Sequence, residues 1–126
     1  MLVLLVVVSV HGASRERLSH REYVARAAAV CYEMTSSTLS SLQTGGKDAE
    51  FRRTAAIIRR AVTKFERLSP PTADERQHNV LTDSLAHVAQ ILDDYPPLNR
   101  GDGERRLLTV HKSSHDLGIR TGCGSG

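Results

Sequence analysis

The sequence predicts an all-helical protein, specifically an antiparallel, up-and-down four-helix bundle closed by one disulfide. Apolar side chains recur at helical spacing in four segments of the chain. No segment shows the alternation of apolar and polar residues that is typical of a half-buried strand. Short breaks rich in Gly or Pro separate the segments, and short connections between amphipathic helices favour antiparallel neighbours around one shared core. We therefore expect one helical domain over residues 14–126.

The first thirteen residues are almost entirely apolar, with an aliphatic run from Leu2 to Val8. A run of about nine apolar residues is roughly half of what a helix needs to cross a bilayer, but it fits the apolar region of a secretory signal. We predict a signal peptide over residues 1–13, cleaved near Gly12 or Ala13, and a secreted mature chain without a transmembrane span. The alternative is that this run forms a buried helix or strand of a cytosolic protein.

Helix 1 is predicted over residues 19–43 and helix 2 over residues 48–68. The turn sequence Thr44-Gly45-Gly46 separates them. Asp48 and Glu50 fall in the first turn of helix 2, where the helix dipole favours acidic side chains. The expected buried positions are Tyr23, Val24, Ala27, Val30, Cys31, Met34, Thr38 and Leu42 in helix 1, and Phe51, Ala55, Ile58, Val62 and Phe65 in helix 2.

Helix 3 is predicted over residues 73–94, after the break at Ser69-Pro70-Pro71-Thr72. Thr72 is followed three residues later by Glu75, the spacing of a capping box. Pro96-Pro97 ends the helix. Its expected buried positions are Val80, Leu81, Ser84, Leu85, Val88, Ile91, Leu92 and Tyr95.

Helix 4 is predicted over residues 102–117, with Gly118 as its C-terminal cap. The side chains that we expect to face inward are Leu107, Leu108, Val110, His111, Ser114 and Leu117. In an up-and-down bundle the end of this helix lies beside the start of helix 1.

The cysteine count predicts covalent support for a thin core. The chain has no Trp, two Phe and three Tyr, so its core must consist mostly of Leu, Ile, Val and Ala. An even pair of cysteines in an exported protein favours a disulfide, here between Cys31 and Cys123. Cys31 lies on the inner face of helix 1 and Cys123 in the tail that returns from helix 4, so the pairing is geometrically reasonable.

Several short motifs follow one another in a recognisable order. They are an early helical Cys31, a helix ending in Leu68-Ser69-Pro70-Pro71, a helix start at Gly101-Asp102, and Leu117-Gly118-Ile119 before Cys123-Gly124. In this order the chain resembles small exported helical proteins, often lipoprotein-like, of high-GC Gram-positive bacteria, over most of residues 24–124. The resemblance implies export, an all-helical fold and a paired cysteine, and it carries over no catalytic residue. No cysteine closely follows the leader, so a lipid anchor is not predicted.

Charge is distributed unevenly between the second and third helices. The segment 47–68 holds seven basic and three acidic residues, whereas the segment 72–95 holds five acidic residues and one Arg. If the protein docks an anionic envelope component or an acidic protein partner, we expect Arg52, Arg59, Arg60 and Lys64 to form the contact face. The alternative is that the oppositely charged helices only complement each other. Nucleic acid is an unlikely partner because no aromatic residues are interleaved with the basic ones.

Histidines suggest two ligand-binding alternatives. His111 and His115 with Cys31 and Cys123 supply the ligand types of a zinc site, but a disulfide would consume both cysteines. Alternatively, a bundle histidine, His111 with His87 or His78, would hold haem or a transition metal.

No constellation of residues predicts catalysis. Glu75 and His78 have the Glu-x-x-His spacing of di-iron bundles, but only one copy is present. Ser113, Ser114, His115 and Asp116 are consecutive on a helix, so their side chains point in different directions and do not form a Ser-His-Asp triad. The expected function is that of a secreted, non-enzymatic binding module at the cell envelope, without a cofactor.

Overall fold

The computed structural model describes residues 16–41, 47–94, 100–119 and 123. For residues 40, 41, 47, 48 and 100–104 it describes the backbone alone. Its helices are α1 (His20–Ser41), α2 (Lys47–Glu66), α3 (Glu75–Asp93) and α4 (Arg100–Asp116). Each helix packs against the next one in the chain. The prediction of an all-helical, four-helix fold is confirmed, and the antiparallel order stays a prediction.

The helix boundaries lie within two residues of those expected from the sequence. The predicted signal peptide lies outside the described residues, as do the expected core positions Leu42 and Tyr95. None of the helices in the described ranges is long and apolar enough to span a membrane.

The core is built from the apolar stripes of all four helices. Seven predicted core positions are only half-buried, namely Val24, Val30 and Thr38 in α1, Phe51 in α2, and Val80, Ile91 and Leu92 in α3. Tyr23 of α1 and Phe65 of α2 are completely buried. The larger buried side chains that meet them come from α3 and the end of α4, among them Leu81, Leu85 and Leu117. The remaining buried apolar residues of the helices are Ala27, Cys31, Met34, Ala55, Ile58, Ala61, Val62, Val88, Ala89 and Val110.

The start of α3 differs from the predicted capping box. Thr72 opens a short 3₁₀ turn, Thr72–Asp74, and the N-cap position of α3 is occupied by Asp74 without a side-chain capping bond. The reason is that the Asp74 carboxylate is already engaged across the bundle, at 2.6 Å from Nδ1 of His20 in α1. The carboxylate therefore joins two helices instead of capping one.

Helix α4 buries a narrower stripe than the sequence predicts. Val110, Ser114 and Leu117 are buried as expected, but Leu107 and Leu108 are 43% and 68% exposed and His111 is also exposed. On a helix with 3.6 residues per turn, positions 107, 111 and 108 lie about 50°, 90° and 150° away, all on the same side, from a centre running through 110, 114 and 117. The expectation that these three side chains face inward is wrong.

A glycine cap ends α4 next to the side chains of His20 and Val24 in α1. Gly118 has a positive φ of 87°, and the amides of Gly118 and Ile119 donate to the carbonyls of His115 and Ser114 at 2.9 Å each. This is the Schellman pattern, in which glycine adopts the left-handed conformation without strain. The predicted C-terminal cap is therefore confirmed.

The predicted disulfide is present between Cys31 and Cys123, whose Cα atoms are 4.8 Å apart. Both cysteines are fully buried, and Ile119 between α4 and Cys123 is only 3% exposed. The Ser114 hydroxyl oxygen lies 3.4 Å from the Cys123 carbonyl oxygen. Ile119 and Cys123 therefore belong to the core.

Candidate functional site

The basic residues predicted to form a docking face lie on the solvent side of α2. Arg52, Arg59 and Arg60 are exposed, and Lys64 is half-buried. The apolar stripe of α2 faces the core. Because the helix has 3.6 residues per turn, the positions of these basic residues then face away from the core.

Two of the four basic side chains pair with acids on neighbouring helices. Arg59 forms an ion pair with Asp93 of α3, and the Lys64 ammonium lies 2.6 Å from both carboxylate oxygens of Glu33 in α1. The Arg59–Asp93 pair fits the alternative in which the basic α2 and the acidic α3 complement each other, whereas Lys64 pairs with α1. Exposed pairs of this kind contribute about 0–1 kcal/mol each to stability.

Arg52 and Arg60 differ from the other two, because neither forms an ion pair with any residue in the described ranges. They are separated by eight positions on one helix, which corresponds to about 12 Å along its axis. The structure thus leaves two guanidinium groups on α2 that form no ion pair with an acidic side chain it describes.

The residues of the predicted metal and haem alternatives are not brought together. His111 lies on the outside of α4, and His87 is half-buried with an interaction of its own. Cys31 and Cys123 are joined to each other, so neither offers the thiolate that zinc requires. Within the described part of the chain, no group of three or more His, Cys, Asp or Glu side chains is arranged to hold a metal ion.

The consecutive Ser, His and Asp residues of α4 also point apart. Ser113 and Ser114 are buried, whereas His115 and Asp116 are exposed. The Ser114 hydroxyl donates to the His111 carbonyl at 2.9 Å, a local helix bond with no catalytic partner.

Sequence reasoning missed a buried polar pair between α1 and α3. His78 is only 6% exposed, and its Nδ1 lies 2.7 Å from the hydroxyl of the fully buried Tyr23. The rings of Tyr23 and Phe65 meet the imidazole edge-on, with centroids 5.5 and 6.3 Å away. The available signal was spacing, because His78 precedes Leu81 by three and Leu85 by seven positions and so shares their helix face.

Burial shifts the acid–base behaviour of both members of this pair. It lowers the pKa of His78 below its usual value, against a smaller opposing effect of the nearby Glu75 charge. It raises the pKa of the Tyr23 hydroxyl, and the Asp74 charge acts in the same direction. Both effects favour the neutral forms, as expected for groups removed from water.

His78 also lines a surface cleft with a volume of 320 Å³. The cleft lies where the segment before α1, the loop after α2 and the start of α3 meet, and the backbone amide of Leu18 fastens the first two by donating to the Ser69 carbonyl at 2.8 Å. Its other lining residues are Arg17, Glu66, Leu68, Ser69, Pro70, Glu75 and Asn79. Arg17 donates to the Pro70 carbonyl at 3.0 Å and to the Glu75 carboxylate at 3.2 Å.

The fold and these sites together define a small all-helical protein with an internal disulfide, a partly neutralised basic face and a polar cleft beside His78. No protein-family model, curated protein or solved structure matches the chain.

Proposed function

We propose that this protein is an exported, non-enzymatic helical binding module at the cell envelope, and that it docks an anionic partner through the outer face of α2. The observation that carries the proposal is the presence of two exposed arginines, Arg52 and Arg60, that have no ion-pair partner among the described residues. The net charge of +3 favours approach to anionic surfaces. The apolar leader and the disulfide support the proposed export.

The proposed face suits phosphate or carboxylate groups spaced along a surface. A guanidinium presents a planar fork of donors that pairs with either group through two parallel hydrogen bonds. Placing Arg52 and Arg60 about 12 Å apart on one rigid helix fixes the spacing of two such contacts. Arg59 and Lys64 would add to the local positive potential, reduced by the charges of Asp93 and Glu33.

The test is a binding assay with defined polyanions, namely phosphatidylglycerol vesicles and soluble polyphosphate, with phosphatidylcholine vesicles as the uncharged reference. Wild-type protein should bind at least one polyanion, and binding should weaken as salt is added, because the Debye length shrinks to about 8 Å at physiological ionic strength. The variant Arg52→Glu/Arg60→Glu should lose this binding.

The matched control is Arg26→Glu/Arg105→Glu, which reverses two exposed arginines on α1 and α4 and changes the net charge by the same amount. This control should retain binding. An equal loss in both double variants would show that overall charge, and not the α2 face, governs attraction. Wild-type protein that binds neither polyanion, or that binds independently of salt, would reject the proposal.

A further inference from the structure

The floor of the cleft offers a buried hydrogen-bond donor. The only hydrogen-bond partner of the Tyr23 hydroxyl among the described residues is Nδ1 of His78. We assign the hydroxyl as the donor, because the opposite direction would leave its own proton unpaired at a fully buried position. A neutral imidazole that accepts at Nδ1 carries its proton on Nε2. His78 is only 6% exposed, lines the cleft, and has no described hydrogen-bond partner at Nε2, which makes this N–H available to a ligand in the cleft.

The rim of the cleft is negatively charged. It contains two carboxylates, Glu66 and Glu75, and one guanidinium, Arg17. Arg17 is paired with Glu75 and also bonded to the Pro70 carbonyl. The exposed Glu66 forms no ion pair with a residue that the structure describes. A ligand therefore meets one unmatched negative charge at the rim and one N–H donor at the floor.

The size and walls of the cleft restrict the ligand further. Its volume of 320 Å³ lies at the small end of the range of about 300–1,000 Å³ that is typical of small-molecule sites. Pro70, which is buried, and Leu68, which is half-buried, supply an apolar wall. A complementary ligand is a small molecule with a cationic group for the rim and an acceptor for the floor.

We propose that this cleft binds a small α-amino carbonyl compound, of the class of an amino-acid amide or a peptide amino terminus. The ligand's ammonium group pairs with Glu66, and its carbonyl oxygen accepts from Nε2–H of His78. A free carboxylate is disfavoured because the rim is already net negative and the single guanidinium is engaged. The proposal goes beyond docking at the α2 face and does not depend on it.

The test is an NMR titration of the ¹⁵N-labelled full chain with glycinamide, in which the His78 imidazole nitrogens and the backbone amides of the cleft are followed at neutral pH. Saturable shifts confined to the cleft are expected. Glycine should bind more weakly than glycinamide, and so should acetamide and ethylamine, each of which lacks one of the two recognition groups. Equal shifts with all four probes, or none that saturates with glycinamide, would overturn the proposal.

Two variants assign the contacts. Glu66→Gln, at an exposed position that leaves the core intact, should weaken glycinamide binding by about fivefold, the effect of one partly exposed ion pair. Asp116→Asn removes an exposed carboxylate outside the cleft and should leave affinity unchanged. His78→Leu should abolish the shifts, with folding checked by circular dichroism. Unchanged affinity in Glu66→Gln would overturn the ammonium contact even if the His78 variant does not fold.

Discussion

Reduction of the disulfide between Cys31 and Cys123 is predicted to have a large effect on the stability of the protein. The bond joins residues 92 positions apart, so it encloses most of the chain that folds. In the unfolded state this link removes the freedom of a long loop, whereas in the folded state Cys123 already lies against α1 beside Ser114. Reduction therefore destabilises the protein mainly by raising the conformational entropy of the unfolded chain.

The magnitude follows from the length of the loop. The chain-entropy relation for a closed loop of 92 residues gives about 4.6 kcal/mol at 25 °C. Small domains unfold with a total of about 5–15 kcal/mol, so reduction should remove a large share of the stability of this protein. With a urea dependence of about 2 kcal/mol per M, the unfolding midpoint should fall by about 2 M.

Urea unfolding followed by far-UV circular dichroism measures this difference for oxidised protein, reduced protein and the variant Cys31→Ala/Cys123→Ala. Reduced wild-type protein retains both sulfur atoms, so it reports on the lost link with little change in packing. The alanine variant also loses the buried sulfurs and should be the least stable of the three. A loss below about 1 kcal/mol in both cases would refute the loop-entropy reasoning and show that the tail contributes little to folding.

Three further predictions concern the core and its buried histidine. Phe65→Ala should lower the free energy of unfolding in urea by about 3–5 kcal/mol, because it empties a buried position. Leu108→Ala, at an exposed position, should change it by no more than about 0.5 kcal/mol. Similar losses in both variants would show that Leu108 is buried after all. Tyr23→Phe removes the donor to His78 and should cost about 1–3 kcal/mol, and unchanged stability would mean that the hydroxyl is not needed there. The folded pKa of His78 is lowered, so the unfolded chain, with a value near 6.5, binds more protons as the pH falls through that range. Wild-type stability should therefore decrease below about pH 6.5 relative to His78→Phe, and a constant difference between pH 5 and 8 would contradict this assignment.

The helices were predictable from the sequence because local signals agree with tertiary packing. In α2 the positions Ala55, Ile58, Val62 and Phe65 repeat at helical spacing, and all four are buried. Glycines and prolines mark the breaks between helices, so the boundaries fall within two residues of the expected ones. The buried face of α4 was harder to predict because its apolar residues are spread over a wide arc of the helix surface. The sequence does not show which part of that arc contacts α3.

The polar sites were predictable only in part, because they depend on contacts between distant segments. The basic character of α2 follows from the sequence, but the pairing of Arg59 and Lys64 requires acids on two other helices. The Tyr23–His78 bond joins residues 55 positions apart, and nothing in local spacing identifies that partner. A polar residue at an apolar position indicates a buried hydrogen bond, but it does not show where the bond leads.

The attachment of α1 combines apolar packing with specific bonds. Four of its described side chains are buried, Tyr23, Ala27, Cys31 and Met34, and one of these is an alanine with little surface to bury. Two of the other three form a directed link: Tyr23 bonds to His78 in α3, and Cys31 bonds to the tail that follows α4. These links lie eight positions apart on one face of α1, so together they fix both its rotation and its position along the bundle. Because the first link also orients the His78 ring that lines the cleft, packing of α1 and the geometry of the cleft are set by the same hydrogen bond.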